Sequence, residues 1–323
     1  MKKVIAVLLA VLFVFAAVSA GAEAAENKKI IFCLDWTPNT NHTGIYAAEA
    51  LGYYREEGID VAIVQPPENG AVLMCAAGQA QFAIDAQDTM AAMLDLDEPL
   101  GVTAVATILQ HNTSGILSRK GDGITSAGGL ENKIYATWDS PIELAMLKYC
   151  MEKEGGDFST LKLVPNNITD EPAALTAHQI DAVWIFYGWS GINAEVSGVA
   201  CDYWDFASVS EELDYYTPVI LANNDFLRES PETAKAFLAA TAKGYEYAIA
   251  HPDVAADLLI AGDTTGSLED ARDIIPSSKE LGTRTLASPL KMDVRLGARS
   301  NGIKGSPEAW TQGCCLQSLL SVH

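Results

Sequence analysis

The sequence predicts an α/β protein built as two lobes, and three observations predict it. Short apolar runs rich in β-branched residues alternate with longer amphipathic runs opened by capping residues, the rhythm of strands followed by helices. The chain of 323 residues is longer than one hydrophobic core normally serves. Two segments, Gly115–Arg119 and Thr217–Leu227, read as crossovers, which assigns 23–117 and 218–323 to lobe one and 118–217 to lobe two.

Lys29–Leu34 is too short for a helix and reads as a buried first strand. Pro38 delays the next helix, and Thr43 is a candidate N-cap for Gly44–Glu57, which Gly58 stops. Trp36, Asn39, Asn41 and His42 therefore fall on a loop at the carboxyl end of a strand, where open α/β sheets bind ligands. They offer donors, acceptors and a stacking face, which suits a planar, nitrogen-rich molecule. The two asparagines could equally close turns, and Trp36 could equally be core.

Ile59–Gln65 reads as the second strand, Ala71–Ala77 as a helix and Gln81–Ala86 as the third strand. Asp85 and Gln87 then stand at another strand's carboxyl end, with Asp88 a candidate N-cap. Val102–Leu109 is a further strand. In the second lobe, Lys133–Thr137 leads to Trp138 and to Ser140-Pro141, a helix-start signal for Ile142–Glu154, with Glu143 in its first turn. Trp138 is expected opposite Trp36 across a cleft. Leu161–Val164 is a strand and Pro172–Gln179 a helix. The aromatic run from Ile180 to Ile192 places Tyr187, Trp189 and Ser190 near a strand's end; alternation requires only one face of that strand to be core. Tyr187 and Trp189 could sandwich a flat ring. Ser230-Pro231 opens a long helix, Glu232–Ala250.

Met1-Lys2-Lys3, the apolar run Val4–Ala17 and the small residues Val18–Ala22 have the three regions of a secretory signal peptide. Without a cysteine at the cleavage region, a free periplasmic protein is expected, with no membrane insertion after cleavage. Residues 23–323 hold 19 basic and 42 acidic residues, a formal charge of −23, which excludes nucleic acid and anionic lipid as natural partners. Six cysteines do not make a disulfide framework in a chain of this length, although Cys150 and Cys201 are a conceivable pair. No metal-ligand spacing occurs, and the five histidines adjoin no nucleophile motif, so neither cofactor nor catalytic residue is expected. From 276 onward the charge balance reverses, to six basic and three acidic residues. That tail is atypical, and a shifted reading frame is one origin for it.

The run from Asp35 to Val61, with the Asn223-Asn224-Asp225 return segment, resembles the periplasmic substrate-binding proteins related to the fungal thiamine-pyrimidine synthase. The resemblance spans about Lys29 to Asp270. It implies a type II periplasmic binding fold, with two crossovers and a ligand cleft between the lobes. It also implies a monomer that delivers a small heterocycle to an ABC permease in the inner membrane, a thiamine-precursor pyrimidine before riboflavin or a sulfonate-like anion. The synthase's lysine and histidine after its third strand correspond to Asp85 and Thr89, and its cysteine-rich run to Glu211–Thr217, which has none. That favours binding over pyrimidine-forming catalysis. Pyrimidine-binding relatives often carry a glutamate where this chain has Ser190.

Overall fold

A computed structural model describes residues 27–94, 100–109, 111–266 and 268. The expected signal peptide, Cys314, Cys315 and the tail from 276 lie outside the described residues. The strands are β1 (Lys28–Cys33), β2 (Ile59–Val64), β3 (Phe82–Asp85), β4 (Val102–Thr107), β5 (Ser114–Arg119), β6 (Ile134–Thr137), β7 (Lys162–Pro165), β8 (Ala182–Phe186), β9 (Cys201–Asp205) and β10 (Val219–Asn223). The helices used below are α1 (Thr43–Ala50), α2 (Tyr53–Glu56), α3 (Ala71–Ala76), α4 (Gln87–Leu94), α5 (Pro141–Lys153), α6 (Glu171–Thr176) and α7 (Ile192–Val196), followed by α8 (Phe206–Val209), α9 (Asn224–Glu229), α10 (Pro231–Ala250) and α11 (Pro252–Gly262).

Two five-stranded sheets form the two lobes, in the orders β2-β1-β3-β10-β4 and β7-β6-β8-β5-β9. In each, one strand from across a crossover runs antiparallel between its neighbours: β10 between β3 and β4, and β5 between β8 and β9. The segment expected as the first crossover is thus a strand wholly inside the second sheet. The passage between lobes lies instead between Thr107 and Ser114, and the return between Val209 and Val219.

Both faces of both sheets are covered, which is why the strands read as apolar runs rather than as alternating ones. In lobe one, Phe32, Phe82 and Ile220 face α10, where Phe237 stacks on Phe82 with ring centroids 4.0 Å apart and on Tyr54 at 5.2 Å. Cys33, Ala83 and Leu221 face α3 on the other side. In lobe two, Trp184 and Trp204 pack with Leu147 and Met151 of α5, while Val183 and Ile185 pack with Leu175 of α6. Both alternating sets of β8 are therefore core, where sequence alternation required only one.

That arrangement also removes the Cys150–Cys201 pair. Cys150 is buried on the α5 face and Cys201 packs on the α6 face, so the sheet separates two free thiols. The expected single helix 44–57 is two, α1 and α2, because Gly52 takes a left-handed conformation at φ 79° and turns the chain between them.

Candidate ligand-binding site

The carboxyl end of β1 runs into a short loop whose polar groups are mostly committed to holding its own shape. Asn39 caps a single 3₁₀ turn, Thr40–His42: its Oδ1 accepts from Asn41 N at 2.9 Å, and its Nδ2 donates to Thr37 O at 3.0 Å. His42, expected to line the site, is fully buried beneath the loop. Its Nδ1 accepts the Asn39 N–H at 3.1 Å, so the ring proton sits on Nε2, which donates to Asp35 Oδ1 at 2.7 Å. The imidazole thus orients Asp35, a residue the sequence reading passed over although it opens the loop. Trp36 is 67% exposed, and the Asn41 carboxamide has no partner among the described residues. Tyr245 of α10 donates to Asn41 O at 2.6 Å and fixes the loop from behind.

Asp85 stands at the end of β3, beside this loop. Burial, and next the charge of Asp35, push its carboxyl up to about 7, against the hydrogen bond from Ala86 N. Burial raises Asp88 as well, in the first turn of α4. Gln87 is buried, and its Oε1 accepts from Tyr216 N at 3.1 Å; it is a strut to the return segment.

In lobe two the organising group is Glu143, buried at 3% exposure. It accepts from Tyr135 Oη at 2.8 Å, Thr137 Oγ1 at 2.9 Å, Trp138 N at 3.0 Å and Ser140 N at 3.4 Å. The sequence marked Glu143 only as a first-turn acid; in the fold it shapes the strand end that carries Trp138 and Ser140. Ser140 caps α5, and Trp138 is 49% exposed, 6.1 Å from Trp184 between ring centroids.

The end of β8 widens into a π turn, Tyr187–Gly191. Tyr187 and Trp189 do not stand free to sandwich a ring from lobe two: both pack against the core of lobe one, and the Tyr187 hydroxyl donates to Glu195. The Gly188 carbonyl accepts from Thr40 Oγ1 at 3.2 Å, which ties the two strand-end loops across the lobes. Ser190 is buried, and Glu171 of α6, whose carboxyl burial raises, lies beside it, so a carboxylic group does reach this position. Among the described residues no cluster of histidine, cysteine and carboxylate could hold a metal ion. The strand ends of the two sheets therefore meet, with exposed indoles, an uncommitted carboxamide and paired acids around them.

This is the arrangement in which residues 39–255 match the family described as NMT1/THI5 like. The chain belongs to that family. The NMT1/THI5-like chain is 27% identical over 296 residues to the formylaminopyrimidine-binding protein of Halalkalibacterium halodurans, covering 89% of this chain and 87% of the relative. It is 26% identical over 241 residues to a 4-amino-5-hydroxymethyl-2-methylpyrimidine phosphate synthase of Saccharomyces cerevisiae, covering 69% and 68%. In structure it resembles the periplasmic aliphatic sulphonate binding protein of Escherichia coli, with a TM-score of 0.56 over 83% of this chain and 96% of that one at 14% identity. The NMT1/THI5-like chain thus has the periplasmic-binding-protein fold, two α/β lobes with strand ends converging between them. No described helix is long and apolar enough to cross a membrane.

Proposed function

We propose that this protein is the solute-binding component of an ABC importer and captures a thiamine-precursor pyrimidine between its lobes. The observation that carries this reading is its likeness, along 89% of the chain, to a formylaminopyrimidine-binding protein. The strand ends supply chemistry that suits such a ligand: exposed Trp36 and Trp138 for the flat ring, Asn41 for its edge, and Asp35 and Asp85 for its amino group. Closure of the lobes would present the liganded shape to a permease. The protein acts as a monomer after export to the periplasm, with Glu171 beside Ser190 standing in for the glutamate that pyrimidine-binding relatives carry.

A pyrimidine-forming synthase is the second reading, because family relatives are named as such. Asp85 and Thr89 at the positions corresponding to the synthase's lysine and histidine count against it. Titration calorimetry with formylaminopyrimidine and with 4-amino-5-hydroxymethyl-2-methylpyrimidine tests both. Saturable binding with the ligand recovered intact is expected. Heat with no saturation by either would end the transport reading, and chemical conversion of the bound molecule would favour the synthase.

A further inference from the structure

The parallel register of β1 on β3 pairs Cys33 with Ala83. Asp35 lies two residues past Cys33, on the loop that leaves β1, and Asp85 ends β3 two residues past Ala83, so the two carboxyl groups lie near enough for the charge of Asp35 to act on Asp85. Asp88 follows one helical step later, and its charge is felt at Asp85. Three carboxyl groups thus converge on one patch at the mouth of the sheet.

None of the three has a lysine or arginine partner among the described residues. The nearest nitrogen base is His42, and with Nδ1 accepting a backbone N–H it carries one proton, on Nε2, and no charge. The other titratable groups around the patch are Cys33, Tyr215 and Tyr245, all of them neutral acids that burial makes still harder to ionise. Two carboxylate oxygens are left over. Asp35 Oδ2 has no partner among the described residues, and Asp88 Oδ1 is buried without one. Acceptors left unpaired in a closing cleft call for donors from the ligand.

Building on the pyrimidine-binding reading, we infer that the cleft holds its ligand as a cation, a heterocyclic base in its protonated form seated on Asp35 and Asp85, and discriminates against anions. The ring proton and exocyclic amino hydrogens donate to Asp35 Oδ2 and to the Asp85 carboxyl. The ligand supplies the positive charge that the protein leaves out. A sulfonate placed there would face two carboxylates with no guanidinium or ammonium group to offset them.

The test uses four flat probes in titration calorimetry on the full chain: 4-aminopyrimidine, 4-aminopyridine as a cation that is not a pyrimidine, 4-pyrimidinone as a neutral ring, and benzenesulfonate. Asp35→Asn and Asp85→Asn are run beside the parent, with melting curves to confirm that each is folded. The two amines are expected to bind the parent and to weaken by at least about tenfold in either variant, as lost charge-assisted hydrogen bonds do; benzenesulfonate is expected not to bind. The inference is overturned if benzenesulfonate or 4-pyrimidinone binds as tightly as the amines, if neither substitution changes amine affinity, or if neither amine binds. Binding of 4-aminopyridine but of neither pyrimidine would keep the inference and sink the pyrimidine reading. Equal binding of charged and neutral pyrimidines would do the reverse.

Discussion

A carboxylate that accepts from four donors holds more than its own place. Glu143 takes two hydroxyls and two backbone N–H groups in a buried setting. Glu143→Gln keeps the volume but offers one acceptor oxygen and brings an NH₂ toward groups that already donate, so urea denaturation is expected to show a loss of about 2–3 kcal/mol. Asp85 is expected to behave oppositely. Its carboxyl is raised to about 7 in the folded protein against 3.8 for the ordinary group, so the fold binds that proton more tightly than the unfolded chain does. The stabilisation is complete below the unfolded value and is lost as pH rises through about 7. Asp85→Asn removes the cost of ionising there. Above that pH the variant is expected to be more stable than the parent, on the order of 2 kcal/mol, with a flatter stability profile between pH 4 and 7 in urea titrations. Higher stability with weaker ligand capture is the trade expected of a group kept for binding.

At the scale of elements, the loop that carries Trp36 rests on a close helix crossing. A Cβ built on Gly244 of α10 would lie 2.0 Å from the Gly44 carbonyl oxygen of α1, and one on Gly44 would lie 2.2 Å from the Tyr245 ring. Gly244→Ala must push the helices apart, and with them the Tyr245 bond to Asn41; a loss of about 3 kcal/mol and weaker ligand affinity are expected by denaturation and calorimetry. Such backbone contact leaves no mark in hydrophobic periodicity, so it is not legible from residue pattern. What periodicity and punctuation do carry was legible: Ser140-Pro141 opens α5, Ser230-Pro231 opens α10, and Gly58 stops α2. β9 was not legible, because Cys-Asp-Tyr-Trp-Asp at a sheet edge lacks an apolar run. In the site, residue types pointed to the right loops but could not separate exposed from buried members. Trp36 is open, whereas His42 turned inward to brace Asp35, a distinction that depends on where one imidazole finds its partners.

Across the whole molecule, the two passages between lobes are fastened to each other. Asp214 on the return segment accepts from Asn112 N at 3.0 Å and pairs with His111 at 2.8 Å, and Asn112 Nδ2 donates to Leu213 O at 2.9 Å. Asp214→Ala is expected to leave each lobe folded while widening the range of lobe orientations, seen as faster amide exchange confined to 108–114 and 210–218 and as a larger radius of gyration by solution scattering. Unchanged exchange in those segments would show that the fastening does not govern the motion. The same wiring bears on the order of assembly. β3 and β4 do not pair with each other; β10 fills the space between them, and it arrives in the chain only after the whole second sheet. A chain emerging from its N-terminus therefore carries an open gap through the middle of its first sheet until residue 223 is available, so folding of that lobe waits on the synthesis of the other.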